Sequence, residues 1–403
     1  MFWERRIYAD AAAATPLSRR SRREFMRLLA VYGNAGALHR EAQEAKKELE
    51  RARASIAQSI GAHPDEIVFT ASGTEGNNLA IAGLLRPMLR ASQKSLHAIT
   101  IAIEHQSVLE PLRALKREGL EVTEVGVQKD GTVFPNAIVE ALRPETVFVS
   151  VQLVNSEVGT IEPLREIEKG LRRAGRKIYF HTDASQAPLW VGINVDALGV
   201  DLMTLDGQKV LGPKGVGVLY IRRGTPVESI LWGGKQEQGL RGGTENIPQA
   251  GAFAVALADA QKDVERRAKK VSRVRDYLWQ EIKKVIPATI LHGPGPQGDT
   301  LPGLSKVSPW KHRVANNLSV SVPGLDGEMA VIAMDALGVA VSTRSACNIG
   351  DEEPSHVIKA LGVAKPLAKT TIRITLLPDI SYRQARRIAA ALKEAADRYR
   401  QRA

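Results

Sequence analysis

Apolar residues in this chain recur first at helical spacing. Between positions 38 and 60 they fall at Leu38, Ala42, Ala45, Leu49, Ala52, Ile56 and Ile60. Steps of three and four place such residues on one stripe of a helix. The other face is rich in Glu, Lys and Arg, as a solvated face is, and Gly61 is the expected stop. A short apolar run at 67–70 predicts a strand. It leads through Ala71-Ser72-Gly73-Thr74-Glu75-Gly76-Asn77-Asn78 into a second apolar helix at 79–85. The alternation continues: strand 97–103, helix 108–119, strand 147–154, helix 164–175, strand 178–181, then short strands at 202–205 and 216–221. Strands alternating with helices predict a mostly parallel sheet covered on both faces. Ligands of such sheets lie at the C-terminal strand ends.

The pattern changes after residue 250. One long Ala- and Lys-rich helix is expected over 251–285, bridging into a second unit. A Gly/Pro loop follows at 292–298. Strands are expected at 314–322, 339–342 and 371–375, helices at 327–337 and 354–361, and a charged helix at the C-terminus. That mixture predicts a smaller α+β domain. The expected division is an arm at 1–15 joining the small domain, a large domain at 16–260, and a small domain at 261–403.

Composition narrows the class. The chain has 403 residues, 44% hydrophobic and 25% charged, which suits a globular protein of two domains. No run approaches the roughly 18 apolar residues of a membrane span, and the first residues carry charges, so a cytoplasmic protein is expected. The net charge of +12 favours acidic partners. Basic residues cluster at 19–23 and 383–402 without a zinc-finger or RNA-recognition pattern, so no direct nucleic-acid contact is expected. The single cysteine, Cys347, excludes an internal disulfide and any multi-cysteine metal site, and no metal is expected.

Three segments carry chemistry. Ser72-Gly73-Thr74-Glu75 is a small turn between strand and helix, where free N–H groups and the helix dipole favour phosphate. An ordinary capped helix start, with Ser72 or Thr74 as the cap, explains the same residues. In His181-Thr182-Asp183-Ala184-Ser185-Gln186, an acid at a strand end is either a helix cap or the partner of a protonated pyridine nitrogen. In Leu205-Asp206-Gly207-Gln208-Lys209, a lysine held at a strand end among small residues is a candidate Schiff-base lysine. A strand-end Asp followed by a strand-end Lys is more specific than either alone.

With these segments in order, the chain resembles the fold-type I pyridoxal-phosphate enzymes, and within class V the cysteine desulfurases. Further matching segments are Ala9–Pro16, Tyr32-Gly33-Asn34, Glu104-His105, Val154–Thr160, Gly239–Thr244 and Ser342–Ser355. The resemblance implies a large α/β/α domain with a smaller α+β domain and pyridoxal 5′-phosphate on Lys209. It implies Asp183 at the pyridine nitrogen, His105 stacked on the ring, and Gln186 on the ring hydroxyl. Gly73 and Thr74 would take the phosphate, joined by Thr244 from a neighbouring subunit of a homodimer. Ser156, Asp206 and Gln208 occupy further cofactor-contact positions. Arg373 would clamp the carboxylate of L-cysteine, with Asn34 also at a substrate-binding position. Cys347, in a polar loop, would accept sulfur as a persulfide and pass it to an iron–sulfur scaffold or a tRNA-thiolation enzyme. Arg344 is a candidate for lowering the thiol pKa.

Four positions depart from the family pattern. Gln208 stands where His is common before the lysine, Asp206 where a hydroxyl residue is common, Ser156 where Asn is common, and Ala11 where Asn is common in the arm. Gln208 can still donate to a phosphate. A carboxylate at ~4 Å from a phosphate is repelled by roughly 1–4 kcal/mol per charge pair. Asp206 therefore turns away, is protonated, or belongs to a rearranged site. Two other readings stand beside the desulfurase: a selenocysteine lyase or other class V lyase, and a cofactor-less scaffold paralogue.

Overall fold

The structure is a computed structural model that describes residues 6–295, 312–343 and 353–400. The chain enters through a two-residue strand, β1 (Ile7–Tyr8), and helices α1 (Arg19–Leu28) and α2 (Arg40–Ile60). In α2 the expected stripe is buried from Ala42 to Ile60, and Gly61 caps the helix in the left-handed conformation (φ 71°). Leu38 lies outside the helix and is 91% exposed. The expected stripe therefore begins one turn later, where the His39 ring accepts the Ala42 N–H.

The central sheet is built from β2 (Ile67–Thr70), β3 (His97–Ile101), β4 (Glu121–Val125), β5 (Thr146–Ser150), β6 (Tyr179–Asp183), β7 (Leu202–Asp206) and β8 (Gly217–Ile221). Among the described residues its order is β2-β8-β7-β6-β5-β3-β4. Among the described residues β8 is the one strand of this sheet that runs opposite to the others. Inner strands such as β7 are buried throughout, as continuous apolar runs require. The edge strand β4, Glu-Val-Thr-Glu-Val, was not foreseen. Its charged, half-exposed sequence suits an edge that must not pair further.

Helices α3 (Gly73–Ala91) and α4 (Gln106–Arg117) pack together after β2 and β3. The expected single helix at 251–285 is two helices, Ile247–Lys262 and Val264–Val285, broken at Asp263. Side chains hold the break. The Arg267 guanidinium takes the carbonyls of Asp259 and Ala260 that the turn leaves open, and Gln261 binds Pro188, Val191 and Ile193. Hydrophobic periodicity runs through such a break and cannot reveal it.

A second, antiparallel sheet orders β12 (Thr371–Thr375), β10 (Asn317–Ser321) and β9 (Ile290–His292), while β1 pairs in parallel with β11 (Val339–Ala340). The arm is thus tied to the C-terminal part of the chain: Ile7 opposes Val339, and the Thr375 N–H donates to the Ala9 carbonyl at 2.8 Å. No helix of the described residues is long and apolar enough to cross a membrane.

Candidate active site

Side chains converge where the C-terminal ends of β6 and β7 face the N-terminus of α3. A cavity of about 290 Å³ is lined there by Gly73, Thr74, His105, Ser156, Asp183, Gln186, Asp206, Gln208, Lys209 and Arg373. Two expected residues lie elsewhere. Thr244 lines a separate cavity with Gly215 and Arg241, and Asn34 sits in a surface loop, its Oδ1 accepting the Gly36 N–H at 2.9 Å. Cys347 and Arg344 fall outside the described residues.

Asp183 is the last residue of β6. Its Oδ1 accepts the Ser185 N–H at 2.9 Å and its Oδ2 accepts Asn77 Nδ2 at 2.8 Å. Asn77 also donates to Ser107 Oγ at 2.8 Å, and Ser107 Oγ lies 2.7 Å from His105 Nδ1. The Ser107 N–H donates to that same Nδ1, so a neutral His105 ring carries its proton on Nε2. One buried amide therefore couples the carboxylate to the mounting of the histidine. Asn77 and Ser107 had not been singled out in the sequence, because a buried Asn inside a helix has no motif of its own.

Lys209 ends a single 3-10 turn, Gly207–Lys209, that follows β7. Its Nζ donates to the carbonyls of Ala12 at 2.8 Å and Ala13 at 2.6 Å, and Gln186 Nε2 donates to the Ala12 carbonyl at 2.9 Å. The arm thus contributes backbone acceptors to the pocket. Arg373 on β12 is 2% exposed and pairs with Asp10 at 2.8 Å. Its Nε is buried without a hydrogen-bond partner.

The neighbouring buried groups keep the pocket electrostatically simple. Glu104 is buried and accepts the Gln152 N–H at 2.6 Å. Burial, aided by the charge of Asp183, holds it well above the usual carboxylate range. Burial also pushes His181 down to about 4, so it stays neutral between Ser150 and Thr204.

At the α3 end, Ser72 is the helix cap, accepting the Glu75 N–H at 3.1 Å. The next N–H, that of Gly73, donates to Asp206 Oδ2 at 3.2 Å. Gln208 Nε2 donates to that oxygen at 3.3 Å, and the Gln208 N–H donates to Asp206 Oδ1 at 3.1 Å. Asp206 is 7% exposed and does not turn away from the turn. A Cβ placed on Gly73 would meet Ser185 Oγ at 3.1 Å and the Asp206 Cβ at 3.2 Å, so the cradle is closely walled.

The described residues on either side of Cys347 in the sequence lie beside this pocket. On one side Ser342 pairs through its backbone with Arg373. On the other, Ser355 Oγ donates to Glu157, and His356 Nε2 donates to the Glu104 carbonyl at 2.9 Å.

A strand-end acid, a strand-end lysine and a helix N-terminus on a mostly parallel sheet define a fold-type I enzyme. Residues 7–384 match the aminotransferase class-V family. A cysteine desulfurase IscS of Dictyoglomus turgidum is 39% identical over 375 residues, 93% of this chain and 90% of that protein. The human cysteine desulfurase is 37% identical over 373 residues, 92% of this chain and 77% of that protein. A solved NifS-like protein superposes with a TM-score of 0.86 at 28% identity, covering 97% of this chain and 99% of its own. The structure described as SspA in complex with cysteine gives 0.76 at 30% identity, with 92% and 99% covered. The chain belongs to the class V aminotransferase family, and within it to the cysteine desulfurases.

Proposed function

We propose that this protein uses pyridoxal 5′-phosphate to convert L-cysteine to L-alanine and leaves the sulfur as a persulfide on Cys347. The observation that carries this reading is the convergence of Lys209, Asp183, His105, Gln186 and Arg373 on one cavity. The ring end fits the cofactor: an amine beside a strand-end carboxylate, with an imidazole lining the same space. Pyridoxal phosphate, when bound, supplies an electron sink for the pair released from the substrate Cα–H, which in turn weakens the Cβ–S bond.

The residues divide the tasks among them. Lys209 Nζ would hold the cofactor and move the α-proton of the substrate. Asp183, fixed by Asn77 and the Ser185 N–H, keeps the pyridine nitrogen protonated. His105 covers the ring and holds a proton on Nε2. Arg373, which lines the same cavity, would orient the substrate carboxylate. The Cys347 thiolate attacks the substrate sulfur: one S–S bond forms, one C–S bond breaks, and Cβ gains a proton as alanine. Ser342 and Ser355, described residues that flank Cys347 in the sequence, bond to Arg373 and Glu157, and this supports a role for the Cys347 thiol at the site.

The same reading extends to assembly. Thr244 lies away from its own chain's pocket, and Tyr32 and Trp232 are 82% and 84% exposed, as apolar groups awaiting a partner are. A homodimer with shared sites accounts for both. The persulfide then passes to an iron–sulfur scaffold or a tRNA-thiolation enzyme in the cytoplasm, where thiols stay reduced. Asp206 in the phosphate cradle favours the second reading, a cofactor-less paralogue.

Alanine production from L-cysteine with added pyridoxal phosphate separates these readings. Wild type forms alanine, while Lys209→Ala and Cys347→Ser lose it by about a thousandfold or more. A protein that binds the cofactor but forms no alanine overturns the substrate. A protein that binds none leaves the scaffold.

A further inference from the structure

The donors of the phosphate cradle are already taken by one of the chain's own carboxyl groups. Asp206 Oδ2 receives the Gly73 N–H and the Gln208 amide, two of the donors that an incoming phosphate needs. The carboxylate is buried and braced from behind, because its other oxygen accepts the Gln208 N–H at 3.1 Å. Asp206 stands close against the turn: its Cβ and Oδ2 lie within 3.3 Å of where a Gly73 Cβ would stand. A phosphate dianion seated in this cradle would face a fixed carboxylate in a partly dry site.

We propose that Asp206 makes cofactor capture proton-linked: the pocket seats the 5′-phosphate together with one extra proton, shared between a phosphate oxygen and the Asp206 carboxyl. This inference rests on the pyridoxal-phosphate reading given above. With the proton present, the carboxyl becomes a donor to the phosphate instead of a competitor for its donors. No other covalent change is involved, and solvent supplies the proton.

Other titratable groups face the same space and set the terms of the test. Lys209 shares the turn, Asp183 ends the adjacent strand, and His105 and Arg373 line the cavity. Glu75, in the first turn of α3, is paired with Arg241 at 3.0 Å. Lys209 imposes a pH dependence of its own on any aldehyde it binds. Pyridoxal, which lacks the phosphate, carries the same aldehyde and ring and so cancels that contribution.

The experiment is equilibrium binding of pyridoxal phosphate and of pyridoxal to the full chain stripped of cofactor, between pH 6.5 and 8.5, followed by visible absorbance and by calorimetry. A cradle made only of donors gains preference for the phosphorylated form as pH rises, because phosphate acquires its second charge near pH ~6. Here the opposite trend is expected: the preference falls by up to about tenfold per pH unit. Calorimetry in buffers of different ionisation enthalpy then shows about one more proton taken up with pyridoxal phosphate than with pyridoxal. Asp206→Asn and Asp206→Thr abolish the excess proton, and they raise affinity for pyridoxal phosphate at pH 8 by about tenfold or more. A preference in wild type that rises with pH overturns the inference without any variant. So does equal proton uptake in wild type and variants, while the cofactor reading stands. Failure of wild type and both variants to bind pyridoxal phosphate at any pH overturns the cofactor reading, and the inference with it.

Discussion

The two ends of one cavity are built on different terms. At the end lined by Asp183, His105 and Lys209, each of these groups has a partner that holds it in place: Asn77 and Ser185 hold Asp183, Ser107 mounts His105, and the Ala12 and Ala13 carbonyls hold Lys209. At the α3 end a carboxylate occupies the Gly73 N–H and the Gln208 amide. Both ends sit at strand termini of the same sheet, so the scaffold is common and the difference lies in single residues.

The comparison breaks most visibly at Asp183. Asp183→Asn keeps the shape and removes the charge, and kcat is expected to fall roughly 100- to 1,000-fold, the range for losing one preorganised charge-stabilising group. The measurement is alanine formation at saturating pyridoxal phosphate. A fall below tenfold would mean that the ring end does not depend on this carboxylate.

Glu162 shows what a buried carboxylate without a cation does. It accepts only the Val133 N–H, its Oε1 has no partner, and burial pushes it up to about 8. The folded protein keeps a proton there that the unfolded chain releases from pH ~4.5 upward, so stability falls as pH rises from about 4.5 to about 8. Glu162→Gln removes that slope and is expected to stabilise the protein at pH 7 by about 3 kcal/mol, with activity unchanged. Denaturant midpoints of both proteins at pH 5 and pH 7 decide it, since the two should converge at the lower pH.

The smallest effect concerns positioning. Asn77→Ala frees one oxygen of Asp183 and loosens the His105 mounting. An expected loss of about tenfold in kcat, with KM for L-cysteine little changed, follows from one hydrogen bond to a charged group. A rise in KM instead would assign Asn77 to substrate binding.

Most strands of the large sheet, the α2 stripe from Ala42 and the positions of Asp183 and Lys209 were legible in the chain, because period and strand-end chemistry are local properties. Three features were not. The charged edge strand β4 has no apolar signature, the break at Asp263 is held by Arg267 and Gln261 through partners far away in sequence, and Asn77 matters only through what it touches. Asp206 marks the boundary between the two kinds of information. The sequence by itself determined that a carboxylate stands two residues from Gln208, where the family commonly has a hydroxyl. Only the tertiary structure decided which way it faces. β7 delivers it to the N-terminus of α3, where an N–H group from a distant segment and an amide from its own turn close on one oxygen. A hydrogen bond across 133 residues of chain is set by how sheet and helix pack, and no local pattern encodes that.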